Sequence, residues 1–159
     1  MAAYIKFAGI DGESQDKDHK GWSDLLSFSQ PMHKPGTGTG ATRRRGDVVV
    51  EDITVAKELD KASPKLAESM CKGKVFDKVD IHLTASYTDA GRVTYYAYEL
   101  KNVQVVSYDI SGTGQSEGVP IENLTLNFEE IKVTYTECDS KGKKKGNIEY
   151  SWKVEEAEV

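Results

Sequence analysis

The chain has 159 residues, 38% hydrophobic and 30% charged, which fits one soluble domain with a core of its own. Its 21 basic and 26 acidic residues give a net charge of −5, which excludes the concentrated positive field that nucleic acid or acidic lipid requires. No apolar run approaches the ~20 residues that span a bilayer, and the N-terminus lacks the basic stretch and apolar run of a secretory signal, so any export takes another route.

Residues 4–7 set Tyr4 and Lys6 against Ile5 and Phe7, a short strand closed by the turn Gly9-Ile-Asp-Gly12. Residues 13–20 read as a solvated polar loop. A calcium loop would need oxygen ligands at alternate positions, a glycine at the sixth and a closing glutamate, and this spacing does not supply them. Residues 22–30 form a strand with Leu26 and Phe28 on one face and Ser27 and Ser29 on the other, ended by Pro31. Residues 32–46 read as an extended, flexible loop, with the run Pro35-Gly-Thr-Gly-Thr-Gly40 and then Arg43, Arg44 and Arg45. The glycines lack the Gly-x-x-x-x-Gly-Lys-Ser/Thr pattern, and a strand over 47–55 follows where a phosphate loop needs a helix. Three arginines in an acidic protein suit an acidic patch on a neighbouring copy, or plain solvation, better than nucleic acid.

Residues 56–60 read as a turn or a short helical piece. Ser63-Pro64 then opens the one helix, with Ser63 as cap and Pro64 at the first helical position. Leu66, Ala67, Met70 and Cys71 form its apolar stripe; Lys72 and Gly73 suit its end. At two to three turns it needs packing on a sheet to persist. From residue 75 the pattern is β. Val79, Ile81, Leu83, Ala85 and Tyr87 alternate with polar residues, and Asp89-Ala-Gly91 signals a hairpin. Residues 92–108 carry apolar side chains on both parities, which fits burial on both faces or contact with a partner. Residues 111–118 are a flexible connection.

Residues 120–135 are the longest strand signal. Leu124, Leu126 and Phe128 share one parity; Ile131, Val133 and Tyr135 share the other. One extra residue at Glu129-Glu130, a β-bulge, would restore a common apolar face and bend the strand. A Lys- and Gly-rich turn over 138–147 leads to a last strand in which Ile148, Tyr150, Trp152 and Val154 alternate with polar residues. Residues 155–159 are an acidic tail.

About nine strands and one short helix predict a mainly β fold, a β-barrel or sandwich of two sheets with one flanking helix, in a single domain over 1–159. His19, His33 and His82 show no metal-ligand spacing, and no Gly-x-Ser-x-Gly elbow exists. Cys71 and Cys138 read as a buried thiol and a strand-end thiol. The residues therefore nominate no catalytic, metal or cofactor site. Two readings stand beside an assembly subunit. One is a monomeric β-sandwich ligand-binding module using Tyr95, Tyr96 and Tyr98 in a groove. The other is a hydrolase in which one pocket brings His82 against a carboxylate and a nucleophile.

Four segments carry a resemblance to a known family. They are the opening Tyr4-Ile-Lys-Phe-Ala-Gly-Ile-Asp-Gly-Glu-Ser14, the stretch from Val50-Glu-Asp-Ile-Thr-Val to Ala-Ser-Pro-Lys-Leu66, Glu122-Asn-Leu-Thr-Leu-Asn-Phe128, and Tyr150-Ser-Trp152. Together, in order and spacing, they resemble the Hcp (haemolysin-coregulated protein) family, the tube subunit of type VI secretion. The resemblance implies a barrel similar to phage tail-tube proteins, with no catalytic residues and no cofactor. It implies a homo-hexameric ring, rings stacked into a hollow tube, a contractile sheath, a valine-glycine-repeat spike protein at the tip and, in some members, small effectors held in the ring. It places the protein in the bacterial cytoplasm before firing and outside the cell afterwards. Within that scheme Tyr96, Tyr98, Thr125 and Asn127 are the expected subunit interface. Arg43, Arg44 and Arg45 are the expected ring-to-ring contact, and Ser27 and Ser29 the expected lumen face.

Overall fold

Alternating apolar and polar residues carry most of the backbone into strands, and the strands close on themselves. The structure is a computed structural model that describes residues 1–34, 48–87, 91–115 and 117–154. In chain order the elements are β1 (Ala2–Phe7), β2 (Ser23–Ser29), β3 (Met32–His33), β4 (Val49–Val50), β5 (Ile53–Glu58), α1 (Ser63–Lys72), β6 (Phe76–Tyr87), β7 (Gly91–Ser111), β8 (Ile121–Asn127), β9 (Glu130–Cys138) and β10 (Lys144–Lys153). The strands run β7-β6-β1-β2-β5-β8, and β8 pairs back onto β7, so six strands form a closed barrel. β9 and β10 extend the sheet from β7, and β3 and β4 form a small separate ribbon. Every pairing is antiparallel. Closure removes free edges from the wall, and the choice between barrel and sandwich falls to the barrel.

The long strand signal bends, but without an inserted residue. β8 and β9 lie end to end along β7, where Gln104 faces Asn127 and Lys101 faces Glu130. The step from 101 to 104 equals the step from 127 to 130, so the register is unbroken. The change of face is shared by both strands. β7 buries Tyr98 and Leu100 before the bend and Val103 and Val105 after it, while β9 buries Ile131 and Val133 and β8 buries Leu124 and Leu126. Asn102 takes φ 53, in the left-handed region that Asn tolerates. Its Nδ2 donates to Glu129 Oε2 at 2.7 Å, and the Glu129 N–H donates to the Lys101 carbonyl at 3.1 Å. The paired ribbon therefore folds as one unit. A bulge does occur further along, on β7, between the pairs of Val105 and Ser107. These features, with a further bulge at Tyr95 opposite Leu83 and Thr84, account for the mixed parity of β7.

Other local readings change as well. β2 carries a bulge between Leu25 and Ser27, so Leu25 and Phe28 turn inward and Leu26 is 54% exposed. The strand expected over 47–55 is interrupted after β4, and β5 continues through Glu58 where a turn or helix was expected. In α1 the buried side chains are Ser63, Leu66 and Ser69, while Met70 and Cys71 are exposed. Cys138 ends β9 as expected. Gly73 stops the helix in a left-handed conformation, φ 66, with its N–H on the Met70 carbonyl, as the sequence predicts.

Ser63 does not cap the helix. Its Oγ accepts from the Asp60 N–H at 3.0 Å and donates to Glu122 Oε1 at 2.7 Å. Glu122 forms a fully buried ion pair with Lys57 at 2.5 Å, and the two face each other across β5 and β8. Lys57 also reaches Asp60 Oδ1 at 2.8 Å, Ser23 donates to Asp60 Oδ2 at 2.8 Å, and the Tyr108 hydroxyl donates to Glu122. Burying two charges is favourable only when their hydrogen-bonding capacity is met, and here it is. The cluster ties the N-terminal end of α1 to the barrel interior.

Candidate assembly surface

β9 and β10 carry the core's apolar face outward, beyond the closed barrel. Directly opposed residues of antiparallel strands share a face, so the register defines three rows across β7, β9 and β10. These are Tyr96–Tyr135–Ile148, Tyr98–Val133–Tyr150 and Leu100–Ile131–Trp152. Leu100, Ile131, Tyr98 and Val133 are buried. At the outer end of the same rows Trp152 is 40% exposed, Tyr150 44%, Tyr135 43% and Ile148 73%. All ten residues of β10 are exposed, and among the described residues β10 pairs only with β9. Its other edge leaves backbone donors and acceptors for a further partner.

The rings set the electrostatics of this surface. Tyr96 and Tyr98 meet edge to face at 5.1 Å, and Phe28 meets Tyr98 at 6.0 Å. Burial, followed by the hydrogen bond with Tyr96, pushes the Tyr98 hydroxyl far above its ordinary range. Burial also raises that of Tyr150, with the Tyr96 ring nearby. These hydroxyls stay neutral at physiological pH, so the surface is an uncharged aromatic and aliphatic ladder.

The residues expected at interfaces and lumen are distributed as follows. Tyr96 and Tyr98 lie in the ladder's inner rows, Tyr98 inside the core. Thr125 and Asn127 lie elsewhere, on β8. Asn127 is exposed and its Nδ2 donates to Asp52 Oδ1 at 2.9 Å. Ser27 and Ser29 are exposed on β2. Register joins Ser29 to Thr54 on β5, Thr54 to Thr125, and Thr125 to Ser107 on β7, one row of small polar side chains across four strands. Arg43, Arg44 and Arg45 fall outside the described residues. Sequence reasoning missed the ladder's outer end. The alternation of Ile148, Tyr150 and Trp152 shows that one face is apolar, but carries no signal of what covers it.

Among the described residues the polar contact of His82 is with another histidine. The His82 Nδ1 lies 3.1 Å from His19 Nε2, with Asp16 Oδ2 2.5 Å from His19 Nδ1. Tyr95 and Tyr96 pack on the core and Tyr98 is within it, so they do not form an open aromatic groove. No group of three or more His, Cys, Asp or Glu among the described residues is placed to hold a metal ion, and no helix there is long and apolar enough to cross a membrane.

A closed barrel with a bare apolar hairpin matches a known family across most of its length. The family model described as type VI secretion system effector, Hcp, matches residues 4–135. The chain belongs to the Hcp family. Protein hcp1 of Pseudomonas aeruginosa is 30% identical over 153 residues, covering 95% of this chain and 93% of the relative. Among solved structures, a type six secretion system protein superposes with TM-score 0.89 at 28% identity, over 98% of this Hcp chain and 97% of the other. A type VI secretion system effector from Yersinia pestis gives TM-score 0.76 at 25% identity, covering 96% and 99%. Hcp1 from Salmonella typhimurium, at 24% identity and TM-score 0.77 over 98% and 95%, shares the fold. This chain is thus a type VI secretion Hcp protein.

Proposed function

We propose that the chain is a subunit of the type VI inner tube. Six copies close into a ring, and rings stack into a hollow tube that a contractile sheath expels behind a valine-glycine-repeat spike protein. Made in the cytoplasm and expelled on firing, the tube has a lumen able to carry small effectors. The observation that carries this reading is the ladder of Tyr135, Ile148, Tyr150 and Trp152, an apolar face beside an open strand edge. A monomer leaves it in water. A head-to-tail contact, in which the ladder of one copy meets a different surface of the next, buries it, and such contacts form a ring when the rotation closes. Full burial of a large exposed apolar side chain contributes roughly 1.5–3 kcal/mol, and covering the part of each ladder residue still in water contributes a fraction of that.

The polar row Ser29–Thr54–Thr125–Ser107, with Ser27 beside it, supports a hydrated inner wall. Tyr96 and Tyr98 serve the interface by fixing the ladder's inner rows. Arg43, Arg44 and Arg45 are assigned the contact between stacked rings. Native mass spectrometry and negative-stain micrographs of the purified protein test the assembly. Six-subunit rings are expected, and a strict monomer at assay concentrations sinks the reading. Deleting residues 35–45 is expected to leave rings that no longer stack, and tubes surviving the deletion would remove the stacking role.

A further inference from the structure

The polar loop over 13–20, expected to be solvated, is folded onto the wall. Residues 8–22 lie as a strap over the outward face of β1. Lys6 holds one end, its Nζ donating to the Ile10 carbonyl at 2.8 Å, to Asp11 Oδ1 at 2.6 Å and to the Gly21 carbonyl at 3.1 Å. The strap's two limbs bond to each other, the Gly12 N–H to the Gly21 carbonyl and the Ser14 N–H to the Trp22 carbonyl, both at 2.8 Å. A Cβ on Gly12 would stand 2.5 Å from that Trp22 carbonyl oxygen, so only glycine fits the crossing.

The other fastening is His19, which is buried. Its ring stacks on Tyr4 at 4.3 Å and meets the edge of Trp22 at 4.8 Å, and Trp22 also lies 4.5 Å from the His82 ring. Nδ1 of His19 faces the Asp16 carboxylate and therefore carries a hydrogen. Nε2 faces Nδ1 of His82. One hydrogen between those two nitrogens makes a bond, whichever ring bears it. A hydrogen on each sets two N–H groups against each other at 3.1 Å, with His19 then a cation, and a second cation faces it when His82 is also protonated at Nε2. Arg92 on β7 bonds the Tyr4 hydroxyl and lies 3.3 Å from Asp16.

We propose that the strap over residues 8–22 is a proton-operated clasp, which acid releases from the barrel wall by placing a hydrogen on both facing nitrogens of His19 and His82. The groups around the pair set the response. Burial first, then His19 and Lys78 on β6, hold His82 down at about 4 in the closed state. The His19 hydrogen bond, working against burial, keeps the Asp16 carboxyl below its usual range, helped by Arg92. Tyr4 on β1, with Asp24 of β2 near it, completes the surroundings. An opened strap returns His82 to water, where its ordinary value is 6.5. The open state thus gains protons first, and the closed form loses ground as pH falls from about 6.5 to about 4, by about tenfold per pH unit. The clasp concerns the strap alone and stands independently of ring formation.

Amide hydrogen exchange of the full chain from pH 7 to pH 4, expressed as protection factors, tests it. The amides of Gly12, Ser14, His19 and Trp22 are expected to lose protection about tenfold per pH unit below about 6.5, while those of β5 and β8 keep theirs. In His82→Gln the strap amides are expected to show a flat profile. Unchanged strap protection in the wild type, equal loss in β5 and β8, or the same fall in His82→Gln each overturns the proposal. Should that variant not fold, NMR titration of the wild-type His82 ring decides: a midpoint near 4 upholds the clasp, and one near 6.5 removes it.

Discussion

Leu100, Ile131 and Trp152 stand in one row on one face of one sheet, yet the first two are sealed in the core and the third is 40% exposed. Chemistry and register are continuous across the row; only the cover differs. In the barrel the strands of the same chain supply that cover. Along β10 the described residues supply that cover only in part, leaving Trp152 40%, Tyr150 44% and Ile148 73% exposed. Part of that apolar face serves the protein's own stability; in the assembly proposed above, its outer end would be covered by a neighbouring copy.

That contrast can be broken from the barrel side first. Glu122→Leu leaves the buried Lys57 with Asp60 as its remaining counter-ion, and denaturant unfolding is expected to show a loss of about 3–5 kcal/mol. Adding Lys57→Met should recover most of it, and failure to recover would show that the pair does more than satisfy its own charges. Next in size, Leu100→Ala opens a cavity in the sealed end of the row and is expected to cost about 2–5 kcal/mol. Acid sharpens the comparison further. Despite burial, the Lys57 and Ser23 hydrogen bonds hold Asp60 below its ordinary 3.8. Its contribution is complete above that value and disappears as pH falls through the lower folded one. Thermal melts of Asp60→Asn should therefore show less acid sensitivity below pH 4 than the parent. Smallest is Trp152→Ala at the bare end. Subunit stability should change by less than about 0.5 kcal/mol, while rings dissociate at concentrations where the parent stays assembled. A stability loss as large as that of Leu100→Ala would mean that Trp152 belongs to the core after all.

Much of the barrel was legible because alternation is a direct record of which face is buried. β6 follows it, and Gly73 marks a helix end through its own backbone freedom. The failures share a cause, since each depends on a partner distant in sequence. The bulge in β2 exposes Leu26 in place of Ser27's expected neighbour, and nothing local distinguishes Leu25 from Leu26. Ser63 looks like a cap until Glu122, far along the chain, claims its hydroxyl. His19 sits in a polar segment whose burial requires Tyr4, Trp22 and His82 at once. Of the residues expected at the interface, Tyr96 and Tyr98 share one face of β7 in the rows that continue onto β9 and β10, and Tyr98 is buried in the core. Thr125 and Ser29, read as serving different surfaces, prove to be row-mates only through Thr54.

The length of β7 has a mechanical consequence. Its 21 residues give a contour of about 70 Å, and it pairs with β6, β9 and β8 in turn. The hairpin is thus fastened to the barrel along strands that overlap side by side, with no hinge between them. A pull along β9 loads many hydrogen bonds in shear at once, instead of peeling them one by one. A particle driven forward as a rigid rod would transmit force through this chain without first stretching it.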